Sequence, residues 1–233
     1  MNGITFNQKH SFADFGLILN NRTITTPSKK KIKSDIPGMN SVYDFSTVAS
    51  KGELIFNQRA IQCVFTLLAS SKQELQSQAS RVAEWLQDTP QGQLVFDDIT
   101  YFYFMAEVEG EISINENHNI AEITVQFIAE PFKTSFTDVG STIWNTFNFL
   151  EDTLQDNSFD VVGTKTVIIY NPGRLTMPTI NCSAPMSVIF LGKTYALVAG
   201  DNYPYGLKLL NGENTLVING TGHIAVLFRK VVL

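Results

Sequence analysis

Only residues 67–87, LLASSKQELQSQASRVAEWLQ, repeat convincingly with the 3.6-residue period of an amphipathic helix; the rest of the chain alternates at period two or breaks into turns. Both ends of this helix are marked. Ser71 and Glu74 form an S-x-x-E capping box, in which hydroxyl and carboxylate satisfy orphan backbone N–H groups for roughly 1 kcal/mol. Thr89-Pro90-Gln91-Gly92 stops it. Leu75, Ala79, Val82 and Leu86 fall at i, i+4, i+7 and i+11, a narrow apolar stripe, with Gln73, Gln76, Gln78, Arg81 and Glu84 on the other sides. A one-faced helix between strands has to bury its stripe on a sheet, so the expected fold is mainly β with one main helix at about 71–88.

Period-two runs supply the sheet. Residues 4–6 and 17–20 read as two strands joined by a turn at 11–16, where Gly16 allows the bend. Leu54 and Phe56, then Ile61, Cys63 and Phe65, alternate directly into the helix. After a strand at 94–98, Phe102, Phe104, Ala106 and Val108 alternate with Tyr103, Met105, Glu107 and Glu109; Ala121, Ile123, Val125 and Phe127 repeat the pattern. These two are expected to be an antiparallel pair around the polar loop 115–119. Residues 21–52 differ: Thr, Ser and Lys dominate, Pro27 and Pro37 interrupt, and Ile24, Ile32 and Ile36 stand alone. Such a segment is either a disordered loop or an extended hairpin that packs on a neighbouring subunit.

The polar stretch 133–141 sets a domain boundary, giving an α+β domain over 1–133 and a second domain over 134–233. Residues 144–149, WNTFNF, favour strand over helix. Short strands then follow at 166–170, 179–182, 187–191, 194–199, 206–210, 215–218 and 223–228, separated by turn residues such as Asn211-Gly212 and Asn219-Gly220-Thr221-Gly222. That density of strands and turns describes an all-β sandwich.

Chemistry is hard to find. Net charge −5 and only 17% charged residues argue against a nucleic-acid binder, and the one basic run, Lys29-Lys30-Lys31-Ile32-Lys33, reads first as solvated loop charge. Low charge with 17 phenylalanines suggests surface covered in an assembly, though a sandwich core would use the same rings. Cys63 and Cys182 lie far apart and are expected as free thiols; His10, His118 and His223 fit no metal motif. No secretion signal or membrane-length apolar run is visible, so no membrane insertion is expected. Asp97-Asp98 with Glu107, Glu109, Glu111 and Glu130 could supply paired carboxylates, but a turn and a polar strand face account for them. Tyr195, Asp201, Asn202, Tyr203 and Tyr205 mix aromatic and polar groups as a sugar-binding loop does, and equally as a plain loop does. No catalytic, cofactor or metal residues are assigned, and no enzyme activity is expected.

One ordered series gathers these pieces. Phe12-Ala13-Asp14-Phe15-Gly16-Leu17 is followed by Ile36-Pro37-Gly38-Met39-Asn40, by Arg59 leading a strand into the helix, and by Val82-Ala83-Glu84-Trp85-Leu86. Then come Gly92-Gln93-Leu94-Val95-Phe96-Asp97-Asp98, a tyrosine-rich strand, Phe127-Ile128-Ala129-Glu130-Pro131-Phe132, WNTFNF and Tyr170-Asn171-Pro172-Gly173. Together they resemble the distal tail (Dit) proteins of siphophages and prophages of Gram-positive bacteria. The resemblance implies an N-terminal domain forming a hexameric ring, with residues 21–52 as an arm to the neighbouring subunit, and a C-terminal sandwich similar to galectins or carbohydrate-binding modules. It places the oligomer interface at Ile24, Pro27, Lys30, Ile32 and Ile36. Expected partners are the tail tube, the tape measure and tail-associated or baseplate proteins, in a virion tail tip assembled in the bacterial cytoplasm. A carbohydrate-binding module or adhesin using the sandwich is the alternative.

Overall fold

The computed structural model describes residues 3–48, 54–140 and 153–233. Backbone contacts divide the chain into two units, residues 1–133 and 134–232, each with its own apolar core. The expected strand at 144–149 lies outside the described residues.

The first unit contains, in order, β1 (Ile4–Phe6), β2 (Lys9–His10), α1 (Ser11–Phe15), β3 (Ile18–Ile24), β4 (Lys33–Ser34), β5 (Tyr43–Asp44), β6 (Arg59–Leu68), α2 (Lys72–Gln87), β7 (Gly92–Phe96), β8 (Phe102–Val108), β9 (Ser113–Asn117) and the start of β10 (Ile120–Asp138). Its sheet runs β2-β1-β7-β8-β10-β6-β3, with β9 also paired to β10. The centre is the β6–β10 pair, in register from Leu68↔Ile120 to Arg59↔Ala129. Alternation then sends Ile61, Cys63, Phe65 and Leu67 to one face with Ala121, Ile123, Val125 and Phe127, all fully buried. Helix α2 closes that face. Its Leu75, Ala79, Val82 and Leu86 are buried as the stripe requires, joined by Trp85, whose indole N–H donates to the Phe6 carbonyl at 3.3 Å. Ser71 Oγ accepts from the Glu74 N–H at 3.2 Å, while the Glu74 carboxylate reaches Ser70 N–H, one residue before the cap itself.

Two local readings need correction. Residues 11–15 are a short helix where a turn was expected: the His10 ring Nδ1 accepts from the N–H groups of Phe12 and Ala13 at 3.2 and 3.0 Å, and Gly16, at φ +69°, ends the helix with its N–H on the Phe12 carbonyl. Residues 113–117 are strand as well, because His118 at φ +55° turns the chain tightly enough for β9 to pair with β10. β8 and β10 are neighbours in the sheet all the same.

The second unit is all β: β11 (Ser158–Asn171), β12 (Thr179–Cys182), β13 (Met186–Phe190), β14 (Lys193–Leu197), β15 (Gly200–Asn202), β16 (Gly212–Leu227) and β17 (Arg229–Val232), which pairs with β10. β16 is one strand where two were expected. It pairs with β11 over its length on one edge; on the other it pairs first with β13 and then with β12. Gly220 and Gly222, at φ +143° and +145°, stand where the partner changes, so the Asn219–Gly222 group bends a continuous strand instead of reversing it. Leu216, Ile218, Ile224 and Val226 keep one parity across the bend and share one core, so the sheet curls around its own apolar face. The expected strand at 206–210 is a turn carrying an isolated bridge, Thr176↔Leu209. The 133–141 stretch is not a plain polar linker, since β10 continues through it as far as Asp138.

Candidate assembly interface

Between β3 and β6 the chain leaves the sheet as a hairpin arm. Its base is held by backbone bonds from Thr25 N–H to Ala60, Asn57 N–H to Ser28 and Lys30 N–H to Ile55, each 2.8–3.1 Å. Phe56 sits at the foot, edge-on to Phe132 at 5.5 Å. Further out, β4 pairs with β5 as Lys33↔Asp44 and Ser34↔Tyr43, and the Phe45 N–H donates to the Ile32 carbonyl at 2.8 Å. Ile36-Pro37-Gly38-Met39 is a type II turn, with Gly38 at φ +87° and Met39 N–H on the Ile36 carbonyl at 3.1 Å.

Pairing sorts the arm into two faces. Ile32, Tyr43 and Phe45 share one, where the two rings lie 4.5 Å apart; Lys31, Lys33 and Asp44 share the other. Hydrogen bonds from the Ser46 hydroxyl and N–H hold the Asp44 carboxyl below the usual carboxylate range, with Lys33 and Lys31 adding to the effect. The apolar face is uncovered. On it Ile32, Ile36, Tyr43 and Phe45 are between 39% and 49% exposed, and elsewhere on the arm Met39, Val42, Val48, Leu54 and Ile55 are between 41% and 65% exposed, a concentration that isolated surface apolars do not produce.

Of the five residues marked from the sequence, Lys30, Ile32 and Ile36 stand exposed on the arm. Pro27 is buried at its base, and Ile24 lies opposite Ile61 in β3, packed against the core. The arm's most apolar stretch, 42–55, was not marked. Its signal is the alternation of Tyr43 and Phe45, which becomes readable only once the Pro37-Gly38 turn is recognised as a hairpin tip.

Of the other candidate residues, Asp97, Asp98, Asp201 and Asn202 have structural partners. Asp98 takes both guanidinium nitrogens of Arg22, NH2 at 2.6 Å, and this hydrogen bonding holds its carboxyl below the usual range. Asp97 accepts from Gly3 N–H at 2.7 Å and pairs with His10 at 3.2 Å. Glu107, Glu122 and Glu130 are spread along the outward faces of β8 and β10, where β6 adds no lysine or arginine. Among the described residues no three His, Cys, Asp or Glu side chains gather as metal ligands, and no helix is long and apolar enough to cross a membrane. Asn202 spends its amide on its own turn, accepting from Val198 N–H and donating to carbonyls of Ile180, Val198 and Gly200; Asp201 accepts from Asn181. Tyr203 and Tyr205 are exposed beside them, Tyr205 at 96%. Cys63 and Cys182 are both buried, and burial pushes the Cys63 thiol up to about 12.

Residues 17–129, which hold the arm and most of the first unit's sheet, match the family described as phage tail protein RIFT-related domain. They belong to it. Over 100% of both chains the fold is similar to that of the Dit protein (gp 19.1) of phage SPP1, described as a paradigm of the hub adsorption apparatus in phages infecting Gram-positive bacteria, with TM-score 0.73 at 12% identity. The chain thus has the fold of that Dit protein over its full length. A chain of the phage P2 baseplate in its activated conformation with Ca aligns more loosely, with TM-score 0.45 at 7% identity over 99% of this chain and 98% of that one. No curated protein sequence matches the chain.

Proposed function

We propose that this chain is a structural hub of a phage tail tip, a non-enzymatic distal tail protein whose copies join head to tail in a hexameric ring between the tail tube and the host-adsorption apparatus. The observation that carries the reading is the arm: a chain of the Dit fold projects an apolar ribbon that nothing in its own first unit covers. Each contact would need to bury more than about 1,000 Å² to hold without further partners, and a hairpin of this length with its receiving surface can supply that. The outward sheet face carries Glu107, Glu122 and Glu130, and the cations Arg59 and Lys133 of β6 and β10 sit over the rings of Phe104 and Phe102, so this face would hold DNA phosphates passing the ring only weakly. Tail-tube, tape-measure and baseplate proteins are the expected neighbours in the virion, after assembly in the host cytoplasm.

The saccharide-binding alternative rests on Tyr203 and Tyr205, and is weakened because Asn202 and Asp201 are engaged in their own turn. Electron microscopy of the purified full chain, at high concentration or with its tube partner, separates the two. Sixfold rings support the hub; a persistent monomer that binds cell-wall polysaccharide reverses the ranking.

A further inference from the structure

We infer that the groove between α1 and α2 is the seat for the arm of the neighbouring copy, a contact that rests on the ring reading above. The floor of the groove is aromatic: Phe15 of α1 stacks on Trp85 of α2, ring centroids 4.4 Å apart and planes 12° from parallel. Around it stand Asp14, Glu84 and Asp88, with Arg81 and Lys9, enclosing a hollow of about 560 Å³. Past Asp14, Phe15 and Arg81 a second hollow of about 260 Å³ leads on toward Leu68, which is exposed.

Asp14 accepts from the His10 N–H at 2.6 Å, and the other four charges on this rim are unspent. Among the described residues Lys9, Arg81, Glu84 and Asp88 make no ion pair. Three carboxylates and two cations around an apolar floor fit a partner that offers an apolar side chain flanked mainly by ammonium groups, with some acid nearby. The arm is such a partner. Ile32 interrupts the run Lys29-Lys30-Lys31-Ile32-Lys33, and Asp35 and Asp44 lie close beyond it. Lys30 shares a strand face with Ile32, so both can enter together. No arm residue lines either hollow of its own chain, so an arm that fills the groove comes from another copy.

Cysteine cross-linking tests this on the full chain, because the two native cysteines are buried and leave a quiet background. Lys30→Cys protein is mixed with Glu84→Cys protein at assembling concentration and oxidised, with Glu122→Cys, on the sheet face, replacing Glu84→Cys as the control. The expected result is a disulfide-linked pair with Glu84→Cys and not with Glu122→Cys. Charge reversal gives a second reading. Glu84→Lys with Asp88→Lys should raise the concentration needed for assembly about tenfold, as should Lys30→Glu with Lys33→Glu, and combining the four changes should return it to within about threefold of the parent. Rings that form normally in the reversed variants, with cross-linking to Glu122→Cys instead, overturn the groove as the seat and leave the ring standing. A parent chain that gives no rings, with no cross-link in either mixture of cysteine variants, overturns both.

Discussion

Strand β6 and the arm that precedes it are built from similar residues and meet opposite fates. In β6, Ile61, Cys63, Phe65 and Leu67 are wholly buried, because β3 and β10 flank the strand and α2 lies over it. In the arm, Ile32, Tyr43 and Phe45 alternate as regularly, yet β4 and β5 have only each other and no layer above. A two-stranded ribbon has two faces and no interior. The difference teaches that apolar alternation specifies a face but not its cover; for the arm no cover lies among the described residues.

The comparison can be broken most forcefully from the core side. Phe65→Ala should cost about 3–5 kcal/mol, read as a lower urea midpoint at unchanged slope, since the ring is fully buried between Leu19 and Ile123. If it costs as little as an arm substitution, the contrast is void. Replacing residues 33–44 by a short turn should change the monomer's stability by no more than about 1 kcal/mol, because shortening a loop alters closure entropy only slowly, while sedimentation shows assembly lost. In the turn after β7, Asp98 pairs with Arg22 of β3, and Asp98→Asn should cost less than about 1 kcal/mol, as befits a partly exposed ion pair. The Asp98 pKa is lowered from 3.8, so the pair's contribution is present above that value and fades as pH falls through the lower folded value. Parent and Asp98→Asn should therefore differ at neutral pH and converge in strong acid, as urea titrations at each pH would show. Smallest of all, Phe45→Ala should shift monomer stability by less than about 0.5 kcal/mol and still weaken assembly measurably.

Much of this architecture was legible in the sequence where local rules agree with one another. Helix α2 has a capping box, a stripe and a Pro-Gly stop, and the sheet strands flanking it alternate cleanly; the mainly β class and the resemblance to distal tail proteins both hold. Legibility failed where one residue type serves two purposes. Gly220 and Gly222 look like a turn, but the left half of the φ range also lets a long strand bend without ending. Helix α1 was missed because five residues are too few to establish a period and its cap is an imidazole. The candidate site was half readable: Ile32 and Ile36 stand out in a polar stretch, whereas Tyr43 and Phe45 gain meaning only from pairing across the tip. The groove was invisible, since one of its walls is α1.

The arm and its proposed seat occupy different parts of one chain, and this sets a rule of arithmetic for the assembly. Any open string of copies, however long, has one arm with nothing to grasp and one groove with nothing in it. Only a closed circuit has neither. Each open intermediate therefore exposes the same two loose ends, about one contact short of complete, and the final addition satisfies both at once. Completion is favoured over every partial count, and the number of members is left to the angle at which one copy meets the next.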